Sequence, residues 1–303
     1  MAFRGRSPIF NAGDTGPAPD PARSRVNSRS IGAILVDDGQ LTQADVDEIE
    51  AHAGKTGMLF GDAAVDLHKT TREDIQRALA LQFNYVVLPC GPHGTVDETV
   101  IAAYDPRSAV VEELRTIRSR LTMGWLKGAT RNVLAVTSPE RGEGRSWFAA
   151  NLATVFAQAG ERTLLIDADM RQPQQHRLFN LKNDVGLSAL LTGRAGSDIV
   201  RRIHPQLRLF VVTAGRLPPN PQELLTRQVF DFVLERFSSQ FDLVVLDTPA
   251  ATQSADAEIL AARAGAAILL TRRNCTRRAR AVEAMECLHR SGAQVIGSVV
   301  NDY

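Results

Sequence analysis

The sequence has 303 residues, 44% of them hydrophobic and 23% charged, with a formal net charge of +1. This length holds one α/β domain of about 200 residues and a smaller module, and the composition excludes a collagen-like or wholly disordered chain. No apolar run reaches the roughly 18 residues of a bilayer-spanning helix, and the three cysteines lack metal-ligand spacing, so we expect a cytoplasmic protein with reduced thiols.

Residues 1–27 form the first segment. They contain four prolines together with Gly, Ser and Arg, and hardly any large apolar residue. A segment of this composition buries too little apolar surface to offset the loss of chain entropy. We therefore expect a disordered leader.

Residues 28–88 contain two similar blocks. In each block a glycine, Gly32 or Gly61, opens a short apolar helix, and a threonine, Thr42 or Thr71, precedes a second helix with acidic residues in its first turn. The second helices are predicted over Asp45–Ala53 and Asp74–Phe83. The pattern predicts an internal repeat of two helix pairs.

This repeat resembles the N-terminal module of type II secretion and pilus ATPases. Some of those relatives bind cyclic di-GMP through an arginine just before each block. The sequence has Ser30 and Leu59 at these places. A protein-docking module is therefore favoured over a nucleotide-binding one.

Residues 89–105 are predicted to be a linker, because Pro89–Gly94 breaks both helical and strand periodicity. In residues 106–303 apolar strand runs alternate with helical segments. This alternation predicts an α/β fold with a doubly wound, mostly parallel sheet covered by helices on both faces. Strands are predicted at Val133–Thr137, Thr163–Asp167, Leu207–Thr213, Leu243–Asp247, Ala266–Thr271 and Gln294–Val300. Helices are predicted near Arg107–Met123, Ser146–Ala159, Pro221–Phe237, Ser254–Arg263 and Thr276–Ser291.

The first of these strands runs into a glycine-rich loop and then a helix. Gly142 and Gly144 free backbone amides to face a polyphosphate, and the Ser146 hydroxyl is placed to ligate Mg²⁺. Against the pattern GxxxxGK[ST], Pro139 replaces the first glycine and Arg145 replaces the lysine. Alone, the loop fits a phosphate site and an ordinary glycine-rich turn about equally well.

Three carboxylates are predicted at the carboxyl ends of two further strands. Asp167 and Asp169 follow the second strand, and Asp247 ends the fourth. Ligands of open α/β sheets bind at this edge, and carboxylate oxygens suit Mg²⁺. Three such acids beside a phosphate loop favour a Mg²⁺–nucleotide site over solvated strand ends.

The three segments resemble the Walker A, A′ and B motifs of the bacterial tyrosine kinases, relatives of MinD and ParA. With the repeat in front, the sequence is similar to the chain-length-determinant tyrosine kinases of the EpsG type, from exopolysaccharide operons. This resemblance implies a protein-tyrosine kinase that uses ATP and Mg²⁺, forms homo-oligomers and joins a membrane chain-length determinant (Wzz-like) at the inner membrane. A catalytically weak nucleotide-binding adaptor of the same machinery is the first alternative. A positioning ATPase is the second, although Glu140 stands where MinD and ParA relatives carry a signature lysine.

The resemblance also implies roles for single residues. Asp167 and Asp169 would bind metal and activate the tyrosine hydroxyl, and Arg171 would position their segment or the phosphates. Asp247 would hold Mg²⁺ through water, and Ser146 would ligate it directly. The implied nucleotide contacts are Gly142, Glu143, Gly144, Arg145, Ser146, Trp147 and Asn301, with Arg145 also counted among the catalytic residues. Glu112, Arg115 and Arg118 match the family's subunit-contact helix.

Two further features bear on catalysis and partners. Trp147 stands where the family has a small hydroxyl residue, and Tyr303 is the only tyrosine acceptor expected in the tail.

An arginine cluster follows the fifth predicted strand, with no interleaved aromatic residue to stack on single-stranded nucleic acid. We expect it to make a subunit contact and expect no nucleic-acid partner. The cluster consists of Arg272, Arg273, Arg277, Arg278 and Arg280.

Overall fold

The computed structural model describes residues 30–82, 86–88 and 96–302. The predicted leader and the first part of the predicted linker lie outside these residues. The described residues divide into two compact units, an N-terminal helical unit ending at Leu88 and a larger unit that contains residues 96–302.

The described part of the helical unit contains four helices, α1 to α4. Both predicted second helices begin with a capping threonine: the Asp45 amide donates to Thr42 Oγ1 and the Asp74 amide to Thr71 Oγ1, each at 3.2 Å. The carboxylates of the same aspartates accept the Thr42 and Thr71 amides in return. The helices are α1 Ile31–Asp37, α2 Gln43–Thr56, α3 Phe60–Asp66 and α4 Arg72–Gln82.

The two glycines that open the blocks have equivalent packing roles. A Cβ on Gly32 would lie 3.0 Å from Val46 on α2, and one on Gly61 would lie 2.7 Å from Ile75 on α4. In each pair, the missing side chain lets the short helix approach the longer one closely. The equivalence supports the internal repeat that the sequence predicts.

The larger unit is an α/β fold with a mostly parallel sheet, as predicted, and the sheet has seven strands. The strand order is β3-β4-β2-β5-β1-β6-β7, and only β3 is antiparallel to its neighbour. The strands are β1 Val133–Thr137, β2 Thr163–Asp167, β3 Arg201–His204, β4 Leu207–Val212, β5 Leu243–Asp247, β6 Ala266–Arg272 and β7 Gln294–Asn301. The helices are α5 Ala109–Leu121, α6 Arg145–Gln158, α7 Gln175–Leu178, α8 Leu187–Leu191, α9 Pro221–Thr226, α10 Gln228–Gln240, α11 Asp256–Ala264 and α12 Arg278–Arg290.

The structure corrects the predicted elements in several places, and the short helices α7 and α8 were not predicted. β3 was not predicted, because it has four residues and exposes both Arg201 and Arg202. The single helix predicted over Pro221–Phe237 is two helices, since Arg227 adopts an extended backbone between α9 and α10. The helix predicted to end at Met123 instead passes at Thr122 into a π-helical turn that ends at Leu126.

The predicted linker is also too long at its C-terminal side. Residues 96–105 pack on the larger unit, where Val100, Ala102 and Ala103 are buried and residues 101–103 form a 3₁₀ turn. The Ala102 amide donates to Asn151 Oδ1 on α6 at 2.9 Å. Short apolar residues between polar ones gave no clear helix or strand period for this segment.

Helix α6 lies against the centre of the sheet and is buried on nearly all sides. β1, β2 and β5 are buried along their whole length, so their carboxyl ends have fixed positions. Within the part of the chain that the structure describes, every helix is too short or too polar to cross a bilayer.

Candidate functional site

The loop between β1 and α6 depends on two glycines with left-handed backbone. Gly142 has φ +79° and Gly144 has φ +95°. A Cβ at Gly144 would lie 2.2 Å from Asn301 Nδ2 at the end of β7, so a side chain at this position would displace the Asn301 amide from the loop. The loop therefore meets the conformational requirement of a phosphate-binding turn.

Arg145 turns inward across the base of this loop. Its side chain is 8% exposed, Nε donates to the Thr248 carbonyl at 2.9 Å, and Nη1 donates to the Glu140 carbonyl at 2.8 Å. Nη1 also contacts the Ser138 hydroxyl. Burial lowers the pKa of Arg145, and the negative charges of nearby acids, with Asp247 the strongest, oppose this shift. The guanidinium thus joins the loop to the end of β5.

Glu143 and Asn301 hold the loop from its outer side. The Glu143 side chain is 3% exposed; its carboxylate accepts the Glu140 amide at 2.8 Å and the Thr276 hydroxyl. Asn301 Nδ2 donates to the Glu143 carbonyl at 3.0 Å. Asn301, expected to contact the nucleotide base, therefore directs its amide nitrogen to the loop backbone.

Asp167 and Asp247 lie side by side at the carboxyl edge, as register partners on the parallel strands β2 and β5. Both are fully buried. Asp167 Oδ2 accepts the backbone amides of Gln174 and Gln175, at 3.0 and 2.9 Å, while its Oδ1 has no partner among the described residues. Asp247 likewise uses Oδ2 and leaves Oδ1 without a protein partner in the described chain.

Burial and mutual repulsion change the acidity of this pair. Desolvation, reinforced by the charge of Asp247, raises the pKa of Asp167 well above its usual range. Desolvation raises the pKa of Asp247 to about 6, although hydrogen bonds from Gln175 and Ser146 favour its charged form. Two buried acids with raised pKa values and unused oxygens are typical of a functional site rather than of a stabilising contact.

Asp169 and Arg171 lie near this pair but have other contacts. Asp169 Oδ1 accepts the amides of Arg171 and Gln172, at 3.2 and 2.9 Å, which fixes the turn after β2. Arg171 Nε donates to Asp256 Oδ2 at 2.8 Å, at the start of α11. Within the described structure the side chain of Arg171 therefore anchors its segment to α11 and makes no ion pair with Asp167.

Sequence reasoning missed two buried residues of the site, Gln175 and Asp256. Gln175 is fully buried, and its Nε2 donates to Asp247 Oδ2 at 2.7 Å and to the Ser146 carbonyl at 3.0 Å. Asp256, 2% exposed, is the partner of Arg171. A glutamine in a polar stretch carries no pattern signal, and Asp256 looks like any acidic residue in the first turn of a helix.

The residues present fit a Mg²⁺ ion of the kind that P-loop proteins hold. The free Oδ1 atoms of Asp167 and Asp247 are buried oxygens that lack a donor, and the Ser146 hydroxyl shares a hydrogen bond with Asp247. Over the described ranges no group of three acidic, His or Cys side chains forms a complete metal cage. Mg²⁺ in such sites takes most of its ligands from water and phosphate oxygens, so one or two protein oxygens suffice.

The remaining residues singled out in the sequence make their contacts away from Asp167 and Asp247. Trp147 Nε1 donates to the Thr99 carbonyl at 2.6 Å, so the indole closes the segment before the 3₁₀ turn onto α6. On α5, Arg115 pairs with Glu112, and Arg118 Nη1 donates to the Val155 carbonyl at 3.0 Å. In the arginine cluster, Arg273 pairs with Asp302 and Arg280 pairs with Glu283.

Comparison with known proteins agrees with this geometry. Residues 134–303 match the CobQ/CobB/MinD/ParA nucleotide binding domain. The tyrosine-protein kinase YwqD of Bacillus subtilis is 35% identical over 206 residues, which cover 68% of this chain and 86% of YwqD. The chimerical protein CapA2B2 is 31% identical, with a TM-score of 0.64, and the match covers 76% of this chain and 98% of that chain. The kinase domain of Escherichia coli tyrosine kinase Etk is 28% identical, also with a TM-score of 0.64, over 72% of this chain and 89% of that domain.

The fold and the loop thus define a P-loop nucleotide-binding protein, and its candidate site lies at the carboxyl edge of the sheet. Within that class, the chain belongs to the bacterial tyrosine-protein kinases, a branch of the CobQ/CobB/MinD/ParA family.

Proposed function

We propose that this protein is a protein-tyrosine kinase that uses ATP and Mg²⁺ and acts in exopolysaccharide synthesis. The observation that carries the proposal is the pair Asp167 and Asp247, side by side, fully buried and each with an unused Oδ1, next to Ser146 of the phosphate loop. The 35% identity to YwqD, a tyrosine-protein kinase, favours this activity over a positioning ATPase.

Each residue has a defined task in this proposal. The loop amides around Gly142 and Gly144 orient the phosphates, and Ser146 and Asp247 hold the metal. Mg²⁺, when bound, neutralises charge on the phosphate oxygens. Asp167 accepts the proton of the substrate tyrosine hydroxyl as the oxygen attacks the terminal phosphorus and ADP leaves. Because the pKa of Asp167 is raised, the carboxylate is a stronger base than an exposed aspartate.

Asp169 and Arg171 support the site in different ways. Asp169 fixes the turn after β2 and adds negative charge beside Asp167. Arg171 holds the same turn to α11 through Asp256. We assign Arg171 a positioning role and no contact with phosphate.

Arg145 supports a second candidate, a nucleotide-binding adaptor with weak catalysis. Nε and Nη1 are committed to Thr248, Ser138 and Glu140, and a planar guanidinium fits poorly where a compact ammonium bridges two phosphates. Nη2 makes no hydrogen bond within the described structure, and in the kinase proposal it contacts a phosphate oxygen.

The partners follow from the family resemblance. We propose a membrane chain-length determinant that holds the protein at the inner membrane, and a homo-oligomer with a contact along α5. Support comes from a groove of about 690 Å³ along α5, which is lined by Glu112, Arg115 and Arg118. The helical unit, with its repeat, is proposed as a protein-docking module similar to that of type II secretion ATPases.

Intact mass measured after incubation with Mg²⁺-ATP separates the two candidates. The kinase proposal predicts an added phosphoryl group on the wild-type protein or on the cytosolic segment of the partner, and none with Asp167→Asn. If the wild type transfers no more than Asp167→Asn with the partner present, while still binding nucleotide, the adaptor is the correct function. Arg145→Lys adds a further comparison. A clear gain in phosphoryl transfer by this variant would identify a kinase that has lost activity through the arginine.

A further inference from the structure

Gln175, the first residue of α7, contacts all three motifs of the site. Its Nε2 donates to Asp247 Oδ2 at 2.7 Å and to the Ser146 carbonyl at 3.0 Å, and its backbone amide donates to Asp167 Oδ2 at 2.9 Å. The residue is fully buried. One residue thus links the phosphate loop helix to both acid-bearing strands, to β5 through its side chain and to β2 through its backbone.

The contacts fix the orientation of the side-chain amide. Asp247 Oδ2 and the Ser146 carbonyl are both acceptors, so only the NH₂ group can face them. Both NH₂ protons are then used, and Oε1 is left as a buried acceptor without a partner in the described chain. The amide is therefore held in one orientation by the residues that it connects.

These contacts determine which oxygens of the acids remain free. Gln175 occupies Oδ2 of Asp247 through its side chain and Oδ2 of Asp167 through its backbone. In both acids the unused oxygen is Oδ1. A neutral donor can satisfy a buried carboxylate without cancelling its charge, which an arginine or lysine in the same place would do.

From this geometry we infer that Gln175 is a positioning residue for the metal: it holds Asp247 and Ser146 so that Asp247 Oδ1 faces the Mg²⁺–nucleotide, and its Oε1 would accept a hydrogen bond from a water of the site. The inference rests on the proposed nucleotide site and names a residue that organises it. Partners of this kind, behind the direct ligands, typically change metal affinity about 10- to 100-fold when removed.

The adjacent Gln174 supplies a matched control. Its backbone amide also donates to Asp167 Oδ2, at 3.0 Å, but its side chain donates only to the Gln172 carbonyl at 3.4 Å. Methionine has nearly the length of glutamine and lacks the amide. Gln175→Met therefore removes the links to Asp247 and Ser146 and keeps the backbone link to Asp167, while Gln174→Met removes neither.

The test is calorimetric titration of the full-length protein with ADP, in excess Mg²⁺ and in EDTA. For Gln175→Met we expect about tenfold weaker binding with Mg²⁺ and a change under about threefold in EDTA, with Gln174→Met like the wild type in both. Equal losses with and without Mg²⁺, or no loss, would overturn the inference. If Gln175→Met does not fold, Gln175→Asn replaces it and is judged by the same criterion. The asparagine amide is one methylene too short to reach Asp247 and the Ser146 carbonyl.

The wild-type titration separates this inference from the proposed function. If the wild type binds ADP no better with Mg²⁺ than without, the proposed metal site is wrong, and the role of Gln175 falls with it. If the wild type does not bind ADP at all, the proposed nucleotide site is wrong. If the wild type shows the Mg²⁺ dependence and both Gln175 variants retain it, only the role of Gln175 is wrong.

Discussion

The helical unit and the carboxyl edge of the sheet use aspartate in opposite ways. In the helical unit, Asp45 accepts hydrogen bonds from Lys69 Nζ at 2.8 Å and from the Thr42 hydroxyl at 2.6 Å. The lysine and then the threonine hold the pKa of Asp45 far below its usual range. At the sheet edge, burial raises the pKa values of Asp167 and Asp247.

The difference shows how a carboxylate that stabilises can be distinguished from one that awaits a ligand. Asp45 is charged at neutral pH and matched by local donors, so it caps a helix and needs nothing further. Asp167 and Asp247 are placed where charge is costly and oxygens stay unmatched, which lowers stability unless a cation arrives. Asp45 thus stabilises the helical unit, whereas Asp167 and Asp247 fit the proposed binding site at the sheet edge.

The largest expected effect comes from a substitution in the phosphate loop. It should weaken nucleotide binding at the sheet edge and leave the helical unit unchanged. Gly144→Ala places a Cβ against the Asn301 amide in a left-handed backbone, so the amide must move away from the Glu143 carbonyl and the phosphate loop is strained. Nucleotide affinity, measured by calorimetry, should fall about tenfold, because a backbone strain of about 1–2 kcal/mol falls on the loop that holds the phosphates. Gly57→Ala is the control: Gly57 also has positive φ, +70°, but its Cβ would meet nothing within 4 Å. That variant should lose about 1–2 kcal/mol of local stability and bind nucleotide normally. Equal binding by the two variants would contradict the loop assignment.

The second expected effect is a pH dependence, because pH changes the charge of Asp247 at the sheet edge. The pKa of Asp247 is about 6, so the carboxyl group becomes protonated and neutral as the pH falls through that value. The advantage that Mg²⁺ gives to ADP binding should therefore decrease below about pH 6 in the wild type. Comparison with Asp247→Asn at each pH removes the titration of ADP itself, which is common to both proteins. A wild-type to variant ratio that is flat with pH would count against the role of Asp247.

The smallest effect lies in the helical unit. Thr42→Ala removes the cap that accepts the Asp45 amide, and it should lower the stability of this unit by about 1 kcal/mol in denaturant unfolding. Thr71→Ala removes the equivalent cap of α4 and should cost a similar amount. Nucleotide affinity should be unchanged in both variants. A change in affinity would show that the two units depend on each other.

Pattern reasoning worked where the physics is local or periodic. The alternation of apolar runs predicted six of the strands, and the glycines and strand-end acids located the phosphate loop and the pair Asp167 and Asp247. Threonine followed three residues later by aspartate predicted the caps of α2 and α4. In each case, the residues that carry the signal are close in sequence or follow a strand period.

The parts that sequence could not give depend on contacts between distant segments. Gln175 acquires its role from Asp247, 72 positions away, and Arg171 from Asp256, 85 positions away. Asn301 turns to the loop because Gly144 leaves space for its amide. The edge strand β3 is too short and too polar for any period. Tertiary neighbours determine the contacts and roles of such residues, and no local sequence pattern contains that information.

The central claim, that the carboxyl edge is a Mg²⁺–nucleotide site, is tested most directly by one calorimetric comparison. Full-length wild type and Asp247→Asn are titrated with ADP, each in excess Mg²⁺ and in EDTA. We predict that Mg²⁺ strengthens binding to the wild type at least about tenfold, and that Asp247→Asn loses most of this gain while its affinity in EDTA stays within about threefold. Wild-type binding that is absent, or a Mg²⁺ gain that Asp247→Asn retains in full, would contradict the claim.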